Sequence, residues 1–295
     1  MKMESPFRKI FDNDTPFPFD MRYRSTRLRQ TELPDHLHDW YELVYVYEGH
    51  GTFFVDQTFY TKEAGCLFLL PANTIHRAFP DEQDPFTTTA VFFSGTLLDE
   101  QPLGESFSYL NGFEVARKQA RYRIVLDENR RTEVEELLSR MQQELAYGKT
   151  GHRHAVSLLL RQLLVAVARY WDDAESRMTR DSSLSVGPQW MRTILRHIDS
   201  RPEEPLTLSA LAARAAVSPA HFSRVFKQLT GMNVTAYVTI KRVARAKELL
   251  ATTDDNVESA AERCGFESLP HFHRMFKRYA GMTPAAYRRM RMFRR

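Results

Sequence analysis

SPAHFSRVFKQLTGMNVTAY, at residues 218–237, and SLPHFHRMFKRYAGMTPAAY, at residues 268–287, are two versions of one sequence. Ser, His, Phe, Arg, Phe, Lys, Gly, Met, Ala and Tyr recur in register, so that ten of twenty positions are identical. An internal repeat indicates one small structural unit that is used twice. The fold of this part of the chain is therefore decided by what each copy forms.

Each copy predicts a helix of about three turns. It opens with a serine suited to N-capping, Ser218 or Ser268, and stops at a glycine that tolerates a left-handed cap, Gly231 or Gly281. Large apolar side chains recur at i, i+3, i+4 and i+7 and predict a buried face. The opposite, polar face carries Ala220, Ser223, Arg224 and Lys227 in the first copy and Pro270, His273, Arg274 and Lys277 in the second.

A short Ala-rich helix is predicted before each copy, at residues 208–216 and 257–265. Two helices joined by a short turn, with a basic outer face on the second, form a helix-turn-helix unit, whose second helix enters the major groove of DNA. The alternative is an ordinary helical bundle with a solvated charged face.

The distribution of charge favours DNA. Residues 189–295 contain 19 Lys and Arg against 9 Asp and Glu, a net charge of +10, whereas residues 1–188 contain 22 against 28, a net charge of −6. A strongly basic module indicates a polyanionic partner. Two recognition helices on one rigid module can also meet successive major-groove faces, which are about 34 Å apart.

Residues 189–295 resemble the C-terminal domain of AraC-type bacterial transcriptional regulators. The resemblance rests on SRVFKQLTG, AYVTIKRVARAKELL and CGFESLPHFHRMFKRYAGMTPAAYR in this order. It implies two helix-turn-helix units joined by a long helix, predicted here at residues 235–250. It also implies base contacts from the outer faces of the two recognition helices, which places them on Ala220, Ser223, Arg224, Leu269, Pro270, His271, His273 and Arg274.

Side-chain chemistry divides these contacts into base contacts and phosphate contacts. Arg224 and Arg274 can each make a bidentate contact with guanine O6 and N7. Ala220 and Pro270 offer apolar contact only. Phosphate contacts, which position the protein without reading sequence, are predicted for Lys227, Lys277 and Arg278, and for Arg242 on the long helix. On the outer face of that helix, the side chains expected to be free of intramolecular partners are Lys241, Arg242, Arg245 and Lys247.

The N-terminal half predicts a compact antiparallel β-barrel or jelly roll. Short β-branched or aromatic runs, separated by turn residues, predict strands at residues 21–28, 41–47, 52–56, 58–62, 66–71 and 87–94. His36, His38 and Glu42 form HxHxxxE, and His76 closes GxxxxxPxxxxH, with Asn73 where a glycine is usual. Together the two patterns resemble the motifs of cupins.

The resemblance to cupins implies that His36, His38, Glu42 and His76 hold a metal inside the barrel. The alternatives are a hydrogen-bonded cavity for an organic ligand, or a satisfied polar network, because AraC-type effector domains are commonly cupin-like without needing a metal. No other cofactor is predicted. The effector site is predicted to contain His36, His38, Trp40, Glu42 and His76. The nearby Tyr41, Tyr45 and Tyr47 would suit a sugar or related metabolite, although strand alternation allows only some of them inside. The alternative is that these aromatic residues belong to the hydrophobic core.

The predicted fold is α+β, with a cupin-like antiparallel β-barrel and a helical pair, followed by an all-α domain with two helix-turn-helix units. The predicted domains are residues 1–126 for the barrel, 127–171 for the helical pair, 172–188 for a linker and 189–295 for DNA binding. The resemblance implies that the helical pair forms a homodimer; packing of its apolar stripes within one subunit is the rival.

The predicted function is that of a sequence-specific regulator that binds promoter DNA under the control of a small-molecule effector and, as a further partner, RNA polymerase. No catalytic residue is predicted, and the protein is expected to be a cytoplasmic non-enzyme without a membrane segment. Cys66 and Cys264 are expected to be reduced and buried. The alternatives are a metal-dependent cupin enzyme fused to a DNA-binding domain, and a regulator whose barrel serves only for dimerisation.

Overall fold

The structure is a computed structural model that describes residues 7–9, 11–12, 15–28, 36–56, 58–98, 107–176, 188–230, 232–253 and 255–292. The chain divides into two compact units, one of residues 9–186 and the other of residues 187–295 together with residues 1–8. The linker predicted at residues 172–188 contains this boundary, and its residues 177–187 lie outside the described part.

Short β-strands dominate the chain before the boundary. They are β1 (Phe7–Arg8), β2 (Phe19–Thr26), β3 (His36–Leu37), β4 (Tyr41–Glu48), β5 (Gly51–Val55), β6 (Thr58–Lys62), β7 (Cys66–Leu70), β8 (His76–Pro80), β9 (Thr87–Phe93) and β10 (Arg123–Val125). Each predicted strand overlaps an observed one. Strands β1, β3 and β10 were not predicted because they are only two or three residues long. Strand β8 was not predicted because its sequence, HRAFP, begins with two polar residues and ends in proline.

The strands form two antiparallel sheets, which is the double-sheet arrangement of the predicted jelly-roll alternative, and not a closed barrel. One sheet contains β3, β8, β5 and β6 in that order, and the other has the order β10, β7, β4, β9, β2. Within the described residues no ladder joins the two sheets, so the barrel is not closed. Facing sheets bury the same alternating side chains as a barrel does, and the sequence pattern therefore does not separate the two architectures.

Three α-helices complete this part of the chain: α1 (Asn111–Gln119), which precedes β10, and α2 (Glu128–Tyr147) and α3 (His152–Ser176), which follow it. Their apolar stripes share one core with the second sheet, and Leu138, Met141 and Leu160 are fully buried. The stripes predicted at the helical pair therefore pack within the chain, and a dimer would have to use other residues. Helix α3 extends five residues into the segment predicted as linker. None of the described helices combines the length and apolarity needed to cross a bilayer.

The described part of the chain from residue 188 to residue 292 is all helical. Its helices are α4 (Gln189–Ser200), α5 (Leu208–Arg214), α6 (Pro219–Thr230), α7 (Val234–Thr252), α8 (Val257–Arg263), α9 (Leu269–Ala280) and α10 (Pro284–Met292). Helices α5 and α6 form the first predicted helix-turn-helix unit, and α8 and α9 form the second. Helix α7 joins them, and its 19 residues correspond to about 28 Å. Cys66 and Cys264 are both free and buried, and burial raises the pKa of each thiol.

Candidate DNA interface and effector pocket

The two recognition helices, α6 and α9, are fixed by the same local features. The backbone N–H of His221 donates to Ser218 Oγ at 3.3 Å, which caps α6, and Ser268 is the corresponding N-cap of α9. On the inner face, Phe222 and Phe226 of α6 are fully buried. Phe272 and Phe276, the equivalent residues of α9, are buried in the same way. This packing fixes which face of each helix turns outwards.

The outer faces carry the residues that were predicted to contact DNA. Arg224 and Arg274 are both exposed, and Arg224 Nη2 donates to His221 Nδ1 at 3.2 Å. Two predicted residues are half-buried: Ser223, and His271, whose ring packs edge-on to Phe266 with a centroid separation of 5.8 Å. The other exposed members of the predicted set are Ala220, Lys227, Leu269, Pro270, His273, Lys277 and Arg278.

Neither recognition helix contains an acidic residue. Several acidic residues of this unit pair with cations elsewhere: Asp199 lies 2.6 Å from Lys241 Nζ, Glu248 lies 2.9 Å from Arg245 Nη1, and Asp255 pairs with Arg263. Among the described residues, no carboxylate pairs with Arg224, Lys227, Arg274 or Lys277. The positive potential of the outer faces is therefore left uncompensated, as a polyanion-binding surface requires.

The outer face of α7 does not match the expectation of free cations. The Arg242 guanidinium donates to two backbone carbonyls of the loop after α4, from Nε to Pro202 O at 2.8 Å and from Nη2 to Glu204 O at 2.9 Å. Lys241 is held by Asp199, and Lys247 is buried. Arg242 thus ties α7 to a loop, and the predicted phosphate contact from this residue is not supported by its position.

The turns within the two helix-turn-helix units differ by one residue. Ala216 and Gly265 occupy equivalent places, with φ of 54° and 80°, and the residue after each donates its N–H to an alanine carbonyl of the preceding helix. The second turn then has Phe266 and Glu267 before its serine cap, where the first has Val217 alone. Because Ala216 has a Cβ, the left-handed conformation costs more free energy at this position than it does at Gly265.

The pocket motif, which consists of His36, His38, Glu42 and His76, lies between the two sheets. His36 on β3 is directly opposite His76 on β8, and Glu42 is on β4, the central strand of the other sheet. All four motif residues are buried, and each can direct one ligand atom so that these atoms lie within 4.8 Å of one another. Asn73, at the position where cupins usually have glycine, adopts φ of 64°. Asparagine is among the few other residues that occupy this region readily.

Backbone carbonyls fix the tautomers of two histidines. His38 Nδ1 lies 2.8 Å from Trp40 O, and His76 Nδ1 lies 3.0 Å from Thr74 O. Because a carbonyl only accepts hydrogen bonds, each Nδ1 must carry the proton and donate it. Each Nε2 is then the nitrogen that points towards the other ligand atoms of the motif. This is the usual arrangement of a metal-binding histidine, whose second ring nitrogen donates to a backbone carbonyl.

Both Nε2 atoms approach the same carboxylate oxygen. Glu42 Oε2 lies 2.9 Å from His38 Nε2 and 3.0 Å from His76 Nε2, and the latter contact lacks the angle of a hydrogen bond. Although burial acts in the opposite direction, His76 and His38 hold the pKa of Glu42 well below its usual value. Burial lowers the pKa of His38. A buried carboxylate facing two nitrogen lone pairs needs protons or a cation between them, so the three histidines and Glu42 fit a divalent metal ion.

Only some of the residues predicted for the effector site line the pocket between the sheets. His36, Glu42 and His76 line the pocket, whereas His38 and the Trp40 side chain do not, and Trp40 stacks on Phe11 at 4.4 Å. The neighbouring tyrosines belong to the other face of β4, since Tyr45 Oη donates to Glu135 Oε1 of α2 at 2.6 Å. Strand alternation sends odd-numbered residues of β4 towards the helices.

The pocket also contains cations that the motif did not predict: Lys9, Arg22, Arg27 and Lys62. We refer to these four residues as the cationic cluster. A partial signal was available for Arg22, because a polar residue at every second position of a strand indicates one polar face. Lys9 and Arg27 lie outside any recognisable motif.

A paired helix-turn-helix unit joined to a double-sheet domain with a polar internal pocket defines the class of ligand-responsive transcriptional regulators. Comparison with known families agrees. Residues 18–168 match the model of the AraC-like ligand binding domain, and residues 211–290 match that of a helix-turn-helix domain. The chain belongs to the AraC family and is a DNA-binding transcriptional regulator with an effector-binding domain.

Its relatives include two activators of similar length. The HTH-type transcriptional activator RhaS of Escherichia fergusonii is 27% identical over 251 residues, which cover 81% of this chain and 82% of that protein. RhaR of Enterobacter sp. (strain 638) is 25% identical over 242 residues, or 82% of each chain. Among solved structures, the DNA-binding domain of AdpA in complex with a target DNA is 34% identical and covers 37% of this chain and 97% of its own, with a TM-score of 0.35.

Proposed function

We propose that this regulator binds a small molecule, a sugar or related metabolite, in the pocket between its two sheets, and that binding changes the occupancy of a promoter. The polar pocket supports the proposal, and so do the relatives RhaS and RhaR, which are named as activators. Such coupling between two sites is worth a few kcal/mol at most. The acid-free outer faces of α6 and α9 carry the DNA-binding part of the proposal.

On these faces Arg224 and Arg274 read bases, and Lys227, Lys277 and Arg278 contact phosphates. Both arginines are exposed, which leaves their guanidinium groups able to reach base edges in the major groove. Ala220 and Pro270 are exposed as well and present only apolar surface, which suits a thymine methyl group. Ser223, Leu269, His271 and His273 complete the proposed contact set.

The remaining proposals concern assembly and place of action. The protein acts as a homodimer, recruits RNA polymerase and works in the cytoplasm, where promoter DNA is available to it. It does so without turning over a substrate, as the regulators it resembles indicate. Because the apolar stripes of α2 and α3 are buried within the chain, the dimer contact uses residues outside those stripes.

A metal ion held by His36, His38, Glu42 and His76 is part of the proposed effector site. When bound, it would supply an electrophilic coordination position for an oxygen of the effector. The Nδ1–H groups of His38 and His76 hold their rings in place, and Glu42 balances part of the charge. Elemental analysis of the purified protein tests this directly. Stoichiometric metal in the wild type that is lost in His76→Ala, but not in the exposed control His50→Ala, is the expected result.

The main experiment measures binding of the full-length protein to the promoter regions of neighbouring genes, with and without candidate metabolites. Specific retention of one promoter duplex over a scrambled duplex, altered by at least one metabolite, is expected. Equal affinity for both duplexes would contradict the proposal. Metal-dependent conversion of a metabolite would favour the rival, an enzyme fused to a DNA-binding domain.

A further inference from the structure

The charge of the pocket is not what a neutral sugar needs. Among its described lining residues, the cationic cluster contributes four positive charges, and Glu42 is the single carboxylate. A neutral polyol is usually bound by hydrogen-bond donors and acceptors in similar numbers, and its binding does not require several positive charges around one cavity. An excess of cations on this scale attracts an anion.

The cations come from separate parts of the fold. Lys62, on β6, is almost completely buried, and its Nζ lies 4.4 Å from the ring centre of Phe53 and 4.1 Å from that of Phe86. Lys9 Nζ lies 3.6 Å from the ring centre of Phe92, which faces the same pocket. Placing an ammonium group at such sites costs free energy, which binding of an anion offsets.

The cations also disturb one another. Burial lowers the pKa of Lys9 to about 8, and the like charges of Arg22 and Arg27 add to this effect, although Glu42 and Asp20 act in the opposite direction. Among the described residues, neither Arg22 nor Arg27 lies within ion-pair distance of a carboxylate. A group with a negative charge at this place would relieve the repulsion.

We propose that the effector is a small organic anion and that the cationic cluster binds its carboxylate or phosphate group. The inference rests on the proposed function and narrows it: an effector of the sugar class is then an acidic sugar or a sugar phosphate. Charge-assisted hydrogen bonds to arginine supply both affinity and discrimination against the neutral sugar.

The fold provides a matched pair of variants for the test. Arg22 and Arg24 are both on β2, where the register shifts between Arg22 and Ser25 and Arg24 has φ of 40°. Arg24 consequently lies on the helix side, with Nη2 3.4 Å from Glu135 Oε2, whereas Arg22 lines the pocket. Arg22→Gln and Arg24→Gln therefore remove the same charge from the same strand on opposite faces.

The first measurement uses inorganic phosphate as the probe. Calorimetric titration of the full chain at constant ionic strength compares the wild type, Arg22→Gln, Lys9→Met and the control Arg24→Gln. Phosphate binding at the DNA-contacting helices is a background common to all four proteins. We expect one binding component to weaken about tenfold or more in Arg22→Gln and Lys9→Met and to persist in Arg24→Gln. Equal binding by all four proteins would overturn the proposal.

The second measurement identifies the anionic group. Glucuronate and glucose 6-phosphate are each compared with glucose by their effect on the unfolding temperature of the wild type. Stabilisation by glucuronate indicates a carboxylate and stabilisation by the sugar phosphate indicates a phosphate, whereas an equal effect of glucose contradicts an anion site. Binding of the wild type to its promoter without any anion tests the proposed function separately, so the two failures are distinguishable.

Discussion

Replacement of Arg274 by alanine should weaken specific DNA binding without weakening the fold. The side chain is exposed on the acid-free face of α9, and its loss leaves no cavity and, among the described residues, no unpaired carboxylate. A bidentate contact to guanine is worth about 1–3 kcal/mol of discrimination, which corresponds to about 5- to 150-fold in affinity. Arg224→Ala should fall in the same range, nearer its lower end, because Arg224 must reorganise its hydrogen bond to His221 on binding.

Fluorescence anisotropy with a promoter duplex and a duplex carrying one changed base pair, at a single salt concentration, measures this effect. The matched control is Arg245→Ala, which removes an exposed arginine that pairs with Glu248 on α7. We expect the control to lose little affinity and Arg274→Ala to lose discrimination at one base position. Unchanged affinity and discrimination in both Arg224→Ala and Arg274→Ala would refute the assignment of base contacts to these faces.

Three further results are expected. Lys277→Ala should lower affinity for all duplexes alike and reduce the slope of log affinity against log salt by about 1, whereas an unchanged slope would remove Lys277 from the phosphate contacts. In denaturant titrations, Ala216→Gly should raise the free energy of unfolding by about 0.5 kcal/mol, because Ala216 has a positive φ. Gly265→Ala should lower it by about 1–3 kcal/mol, because the added Cβ would lie 2.7 Å from Pro202 O. Since the pKa of Lys9 falls from 10.5 to about 8 on folding, the unfolded chain binds the extra proton between these values. Stability should therefore rise with pH across that window, and Lys9→Met should flatten the rise in pH-dependent unfolding.

The helical unit was predictable because its signals are local and occur twice. Capping serines, aromatic residues at helical spacing and the glycines after each recognition helix all lie within a few residues of one another. Helix α7 was predicted at residues 235–250 and spans Val234–Thr252. Its outer face was not predictable, because the partners of Arg242 and Lys241 come from the loop after α4 and from Asp199, about 40 residues away in sequence.

The pocket was predictable only where a motif exists. HxHxxxE and the later His76 depend on strand alternation within neighbouring segments, and the structure gathers these four side chains. The cationic cluster combines Lys9 of the N-terminal segment, Arg22 on β2, Arg27 just after β2 and Lys62 on β6, and its composition depends on which strands pair across the sheets. A bulge that turns Arg24 away from Arg22 has no recognisable sequence signal, so two arginines two positions apart serve opposite sides of one sheet.

Strand β4 has a double duty that bears on engineering. Glu42 and Val44 line the pocket on one face of the strand. Tyr45, on the opposite face, donates a hydrogen bond to Glu135 and so holds α2 against the sheet. Any redesign of ligand preference that repacks this strand will disturb the docking of α2 as well. Strands β6 and β8, which supply Lys62, His76 and Ala78 from the other sheet, are the better starting points for a biosensor with altered selectivity.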